Sequence, residues 1–199
     1  MPPPRRSQRE RREETRSRLL SATQASLVEA GYAGTTTTAV CRRAGVSQGA
    51  LFKHFVSKAE LLACTAEALF ANLILAFRET LPRLAGVQDR AEAAVTLLWD
   101  VFADPRLLAA IELYAAARTD RELALRLAPV ASNHGENLHQ LARELFPEAA
   151  AQRPEFDALV SVVVQAIQGA TLGSLASGDR RGFEPSLALL TELVRKTVA

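Results

Sequence analysis

Gln48, Lys53 and His54 fall within seven consecutive residues and Lys58 follows four later, a set with many hydrogen-bond donors and no carboxylate between its first and last members. A Gln amide presents a donor and an acceptor side by side, the pattern of an adenine edge. A Lys ammonium suits guanine acceptors or a phosphate oxygen. Gly49, inside the set, lets a backbone come close to a duplex, and His54 is a phosphate donor. This is chemistry for holding nucleic acid, not for breaking bonds. The chain has no Walker or dinucleotide glycine loop, no Gly-x-Ser-x-Gly and no paired metal-ligand motif. His134 and His139 are five apart, so they do not share a helix face, and neither has a Cys or Asp beside it. Catalytic residues, a metal and a cofactor are therefore all expected to be absent.

Two short helices must position that set. Gly45 supplies a sharp turn that a residue without Cβ makes cheaply, and Ser47 is an N-cap for a helix carrying Leu51 and Phe55 on one face. Before the turn, a helix from about Thr37 to Ala44 puts Val40 and Ala44 inward, with Thr36 or Thr37 as its cap. The pair reads as a helix-turn-helix; a Gly turn between two short helices is by itself equally compatible with a plain αα-hairpin. An earlier helix, about Glu10 to Glu29 with Leu20, Thr23 and Leu27 on one face and Gly31 at C′, would buttress it. Ser57-Lys58-Ala59-Glu60 reads as a capping box. From it Leu62, Ala66, Leu69, Leu73 and Phe77 predict one long helix of about 25 residues ending near Pro82. Lys58, in its first turn, can reach a phosphate with help from the positive helix terminus.

Charge follows the same division. Residues 1–58 hold eleven Lys/Arg against four Asp/Glu, a local +7, which leaves −5 for the rest of a chain whose net charge is +2. A basic head on an acidic body is the footprint of nucleic-acid binding by the head alone. Residues 1–10, rich in Pro and Arg, read as a disordered basic arm from which Arg5, Arg6 and Arg9 can enter a minor groove. With 48% hydrophobic residues in 199, the chain can bury a core. Neither a bilayer-length apolar run nor the apolar core of a signal peptide is apparent, and Cys41 and Cys64 suit a reducing compartment, so the expected location is the cytosol, away from membranes.

The remaining residues read as helices throughout, with no strand signal. Asp89 to Ala103 is one. Asp104-Pro105 opens another, and the capping box Thr119 to Glu122 opens a third that Pro129 should kink before it ends at Phe146-Pro147. Pro154 opens a fourth, ended by Gly178, and Pro185 a fifth. In the last two, Val163, Ile167 and Ala170, then Leu187, Leu190 and Val194, form stripes, while other apolar residues lie off them. Gly169 and Gly173 leave a flat strip for a neighbouring helix. For a small-molecule pocket, Phe77, Trp99, Phe102 and Tyr114 are candidate walls, and His134, Asn137, Gln165 and Gln168 candidate polar groups. The two Gln stand in an otherwise apolar stretch, where a buried amide requires a partner.

The string Tyr32, Gly34, Thr35, Thr37, Ala44, Gly45, Val46, Ser47, Gly49, Leu51, Phe52, His54, Phe55, Lys58, Leu61 and Leu62 resembles the N-terminal DNA-binding domain of the TetR family of bacterial transcriptional regulators. The likeness covers roughly residues 12 to 70; beyond that only length and helical pattern agree. The resemblance implies an all-α protein with a three-helix DNA-binding domain at 11–58, a linking helix at about 57–81, and an effector-binding and dimerisation domain at 59–199. It further implies a homodimeric repressor that binds double-stranded DNA at a palindromic operator under the control of a small-molecule effector. Carried over by position, Thr37 and Thr38 would meet backbone or a base, and Gln48, Gly49 and Lys53 would read or approach bases behind the Ser47 cap. Phe52, His54 and Lys58 would clamp phosphates. The family commonly has Tyr where this chain has Phe52, so a hydroxyl-to-phosphate bond is missing. Its last two helices pair with their copies, which would place Val163, Ile167, Gly169, Ala170, Gly173, Leu187, Leu190 and Val194 at a dimer interface. The rival is a helical small-molecule-binding or enzyme domain with a vestigial helix-turn-helix.

Overall fold

The computed structural model describes residues 7–198, and among them every regular element is helical. Three helices build the N-terminal end: α1 (Gln8–Gly34), α2 (Thr37–Ala44) and α3 (Gln48–Phe52). They are followed by α4 (Lys58–Ala85), α5 (Arg90–Phe102), α6 (Pro105–Ala117) and α7 (Arg121–Leu145). After these come α8 (Pro147–Gln152), α9 (Phe156–Ser177), a 3-10 turn (Arg181–Phe183) and α10 (Glu184–Val198).

The chain divides into two compact units. One takes residues up to Leu69 together with Leu108–Ala131; the other takes Phe70–Leu107 and Ser132–Ala199. The first therefore extends past the 11–58 expected from sequence, taking in the start of α4, most of α6 and the first part of α7. Its core joins Leu19 and Ala22 of α1, Val40, Cys41 and Ala44 of α2, Leu51 and Phe55 around α3, and Leu61 of α4.

Caps fix where these helices begin. Ser7 accepts from the Glu10 amide (3.1 Å) while its own N–H donates to the Glu10 carboxylate (2.7 Å), a reciprocal box that starts α1 at Gln8. Residues 8–10 of the expected arm, Arg9 among them, are helical, and residues 1–6, Arg5 and Arg6 included, lie outside the described residues. Gly31 is at φ 64, as a C′ glycine requires, and the chain re-enters a helical turn before Thr35.

Several boundaries differ from expectation. Pro82 lies inside α4, where its missing N–H removes one bond near a helix end, too little to stop it before Ala85. Asp120, not Thr119, caps α7, accepting from the Leu123 amide at 2.9 Å. The six-residue α8, with Pro147 at its start, carries too few residues for a periodic signal. The expectation about apolar length is also corrected, since α4 over Lys58–Leu84 and α9 are long and apolar enough to cross a membrane by length and composition alone. Within the chain 44% of the α4 window and 17% of the α9 window are buried.

Candidate nucleic-acid interface

The two short helices expose what the sequence assigned to recognition. The Thr36 hydroxyl caps α2 by accepting from the Ala39 amide (3.1 Å), and Ser47 caps α3 by accepting from the Ala50 amide (3.1 Å). Gly45 joins them at φ 65 and ψ 40. The carbonyls of Ala44 and Gly45 receive the Arg18 guanidinium from α1, so the turn is held from behind. Leu51 and Phe55 are fully buried beneath it.

On the outward side Thr38, Ser47, Gln48, Gly49, Phe52 and Lys53 are exposed, and Thr37 is half-buried at the start of α2. The Gln48 amide donates to the Thr38 hydroxyl at 2.7 Å, linking the two helices through side chains that both face outward. A Cβ at Gly49 would meet nothing nearer than the Ser47 hydroxyl at 3.9 Å, so the fold itself makes no demand for glycine there. Phe52 keeps 47% of its surface exposed with no hydroxyl to offer.

Two assignments change. α3 ends at Phe52, so Lys53 is its C-cap and His54 lies in the turn beyond it, not in the helix. Burial, then the nearby Arg12 and Arg16, push the His54 imidazole below its ordinary range, although Glu13 opposes them. Lys58 is half-buried and turned inward. Its ammonium lies 4.5 Å from the centre of the Tyr32 ring and donates to the Tyr32 carbonyl at 3.4 Å. Burial pushes its pKa down and Asp120 pushes it back up.

Tyr32 is the centre of a polar cluster that the motif string contained without showing its use. Its hydroxyl donates to Asp120 (2.7 Å) and its backbone N–H to Glu112 (2.8 Å). The Glu112 carboxylate packs so closely on Gly31 that a Cβ there would sit 2.9 Å from it. Arg18, Glu112 and Asp120 are absent from the sequence assignment because their partners are 26 to 88 residues away. Arg16 of α1, whose guanidinium lies 5.3 Å from the Phe55 ring centre, is a further basic group of this unit.

In the second unit the pocket candidates separate. Phe77 borders a cavity of about 100 Å³ walled by α4, α5, α7, α9 and α10. Trp99 and Phe102 are buried elsewhere; the Arg180 guanidinium lies 4.4 Å from the Trp99 ring centre, and Phe183 packs against it. His134 stacks on Phe70 (4.0 Å between centroids) with its Nδ1 buried and without a hydrogen-bond partner among the described residues, and burial lowers its pKa to about 4. Asn137 and Gln168 are half-buried, Gln165 is exposed, and none of the four polar candidates borders the cavity. Tyr114 belongs to the first unit, where burial pushes its hydroxyl up to about 12.

The stripes expected at a dimer interface mostly face inward. Val163, Ile167, Leu190 and Val194 are buried within their own unit, and Ala170 and Leu187 are half-buried. Gly173 receives the Phe183 ring, 2.7 Å from where its Cβ would be, so the glycine pair is not a flat strip. Gly169 is exposed with nothing near it. The exposed large apolar residues of these helices are Val162, Leu172 and Leu175 on α9 and Leu189 and Leu193 on α10. One-sided periodicity could not tell these rows apart, because both faces of α9 are apolar.

The family model described as "Bacterial regulatory proteins, tetR family" matches residues 19–64, from the buttressing part of α1 into α4. The chain is similar to the HTH-type transcriptional regulator Rv2912c of Mycobacterium tuberculosis, 32% identical over 167 residues that cover 84% of this chain and 86% of the relative. It is 27% identical to the HTH-type transcriptional regulator CymR of Pseudomonas putida over 199 residues, 100% of this chain and 98% of CymR. Among solved structures, the multidrug binding protein EbrR complexed with ethidium matches with a TM-score of 0.67 at 24% identity, over 90% of this chain and 98% of that one.

Proposed function

Because the chain belongs to the tetR family of DNA-binding transcriptional regulators, we propose that it is a repressor that grips a palindromic operator as a homodimer in the cytosol and responds to a small effector. The observation that carries this reading is the exposed Thr38–Gln48 pair at the lip of α2 and α3, backed by the Arg18-held turn. An amide and a hydroxyl offered outward from a buried framework are suited to a base edge, and Lys53 beside them to a phosphate. Lys58 would leave Tyr32 to reach a phosphate, or support the surface from within.

One α3 spans only a half-site, so two copies are needed. The outward apolar row of Val162, Leu172, Leu189 and Leu193 is the surface we assign to the partner copy, in place of the inward stripes. Half-site centres should lie about 34 Å apart, one helical turn. EbrR binds ethidium in its complex, and a helical second unit with an apolar cavity fits an effector role here by analogy.

The test is binding of the purified chain to the intergenic palindrome beside its gene. Dimeric binding whose logarithm falls steeply with the logarithm of salt concentration is expected. A monomer by sedimentation at micromolar concentration, or salt-insensitive binding, would sink the proposal. The rival with a vestigial helix-turn-helix predicts no sequence preference at all.

A further inference from the structure

The cavity of the second unit is bounded by Phe77 of α4, Ala94 and Leu98 of α5, Ala142 of α7, Val163 of α9 and Val194 of α10, and every other residue along its wall is also Ala, Val, Leu or Phe. No side chain in that wall donates or accepts a hydrogen bond. At about 100 Å³ the space approaches that of apolar cavities that stay dry and bind benzene, at roughly 150 Å³. Phe146 and Val198 line both this space and an adjoining polar hollow that holds Asp89, Arg90 and Arg195. Those cations are already engaged: Arg195 pairs with Asp89 and Glu192, and Arg90 donates to the Leu145 carbonyl at 3.4 Å.

A carboxylate or hydroxyl held against this wall would find no hydrogen-bond partner in it, whereas a hydrocarbon of the same shape loses nothing. We propose that the cavity is the ligand site and that its ligand is a small neutral hydrocarbon, a single-ring arene or a branched alkane of similar bulk, bound without a polar end. This departs from the polar-ended ligand expected from His134, Asn137, Gln165 and Gln168, none of which reaches the wall. As a statement about the effector it rests on the regulatory reading above; as a statement about binding it stands apart from DNA.

The experiment uses the full chain with toluene, phenol and benzoate as probes, read by calorimetry and by the rise in Tm. Toluene should bind saturably and raise Tm, with phenol and benzoate at least about tenfold weaker. Ala94→Leu and Ala142→Leu, which fill the cavity from two different helices, should each abolish the toluene response; whichever variant keeps the parent circular dichroism and Tm serves as the test. Benzoate binding as tightly as toluene, above all if Arg195→Gln weakens it, would overturn the proposal, as would a toluene response surviving in a folded filled variant. Operator affinity is measured in the same samples. Toluene binding without a change in operator affinity supports the site and overturns effector control. A regulator that ignores toluene but answers to a charged ligand overturns the site and leaves effector control standing.

Discussion

The Gln48 side-chain amide donates to the Thr38 hydroxyl at 2.7 Å, joining the first residue of α3 to the first turn of α2. The bond uses one of two amide N–H groups, so the second N–H and the carbonyl are left for a base. Fixing the amide before DNA arrives lowers the ordering cost of reading with it. Gln48→Ala should relax base preference by roughly 1 to 3 kcal/mol at one position of each half-site. Thr38→Val should weaken preference at that same position by about 1 kcal/mol, and the double variant should lose less than the two losses added. Selection from randomised duplexes reads all three; strict additivity would show that Thr38 does not orient Gln48.

Gly49 separates folding from binding. A Cβ fits there within the chain, its nearest contact being 3.9 Å away, and Ala is the better helix former by roughly 0.5 to 1 kcal/mol. Gly49→Ala should therefore raise Tm slightly and yet lower operator affinity by about tenfold, because the methyl stands where the duplex must approach. Unchanged affinity in gel shift would mean that the backbone at Gly49 does not come close to DNA.

The turn itself depends on Gly45 and Arg18 together. At φ 65 a Cβ is strained, and here it would also sit 3.0 Å from the Arg18 guanidinium. Gly45→Ala should cost about 1 to 2 kcal/mol in urea unfolding. Arg18→Met, which keeps the stem but not the donors to Ala44 and Gly45, should cost about 1 kcal/mol and lower operator affinity without touching DNA. Parent affinity in Arg18→Met would show that α2 and α3 hold their angle unaided.

The helix-turn-helix was legible because its signals are local: Thr36 and Ser47 caps, a left-handed Gly45, and Leu51 and Phe55 one turn apart. What stayed hidden depends on contacts distant in sequence. Nothing near Lys58 says that it lies over Tyr32, and nothing near Glu112 says that it receives the Tyr32 amide. That the effector candidates other than Phe77 lie away from the cavity has a related cause. Aromatic and amide residues are chosen from sequence by type, whereas apart from Phe77, Phe146 and Phe156 the cavity is walled by Leu, Val and Ala that look like any core. In α9 the apolar residues cover too much of the circumference for periodicity to choose which row faces out.

The outward row gives a prediction about assembly. Leu189 is 73% exposed and Val162 50%, on separate helices that share no other cover among the described residues. Leu189→Glu and Val162→Glu should each shift the protein toward monomer by at least about tenfold in dimer Kd and weaken operator binding in step. Val194→Ala, on the inward stripe, should instead lower Tm while leaving the dimer Kd unchanged. Sedimentation equilibrium decides between them, and the reverse pattern would return the interface to the inward stripes.

Stability should fall with acid in a window set by His134. Burial lowers its pKa from 6.5 to about 4 in the folded chain, while the unfolded chain keeps the ordinary value. Above pH 6.5 the ring is neutral in both states and imposes no pH dependence. Below it the unfolded chain takes up a proton that the folded chain refuses, so unfolding becomes easier by about 1.4 kcal/mol per pH unit down to about pH 4, roughly 3 kcal/mol in all. Carboxylates also titrate at the acid end, so the measure is the difference between the parent and His134→Phe. The Phe ring can keep the stack on Phe70 without carrying a buried Nδ1 that has no hydrogen-bond partner among the described residues. Urea unfolding at pH 7.5 and pH 5 should show the variant as stable as the parent or more so at the higher pH, and ahead of it by about 2 kcal/mol at the lower. If the two proteins lose stability in parallel between those pH values, the His134 ring is protonated in the folded chain and its burial is not what the geometry indicates.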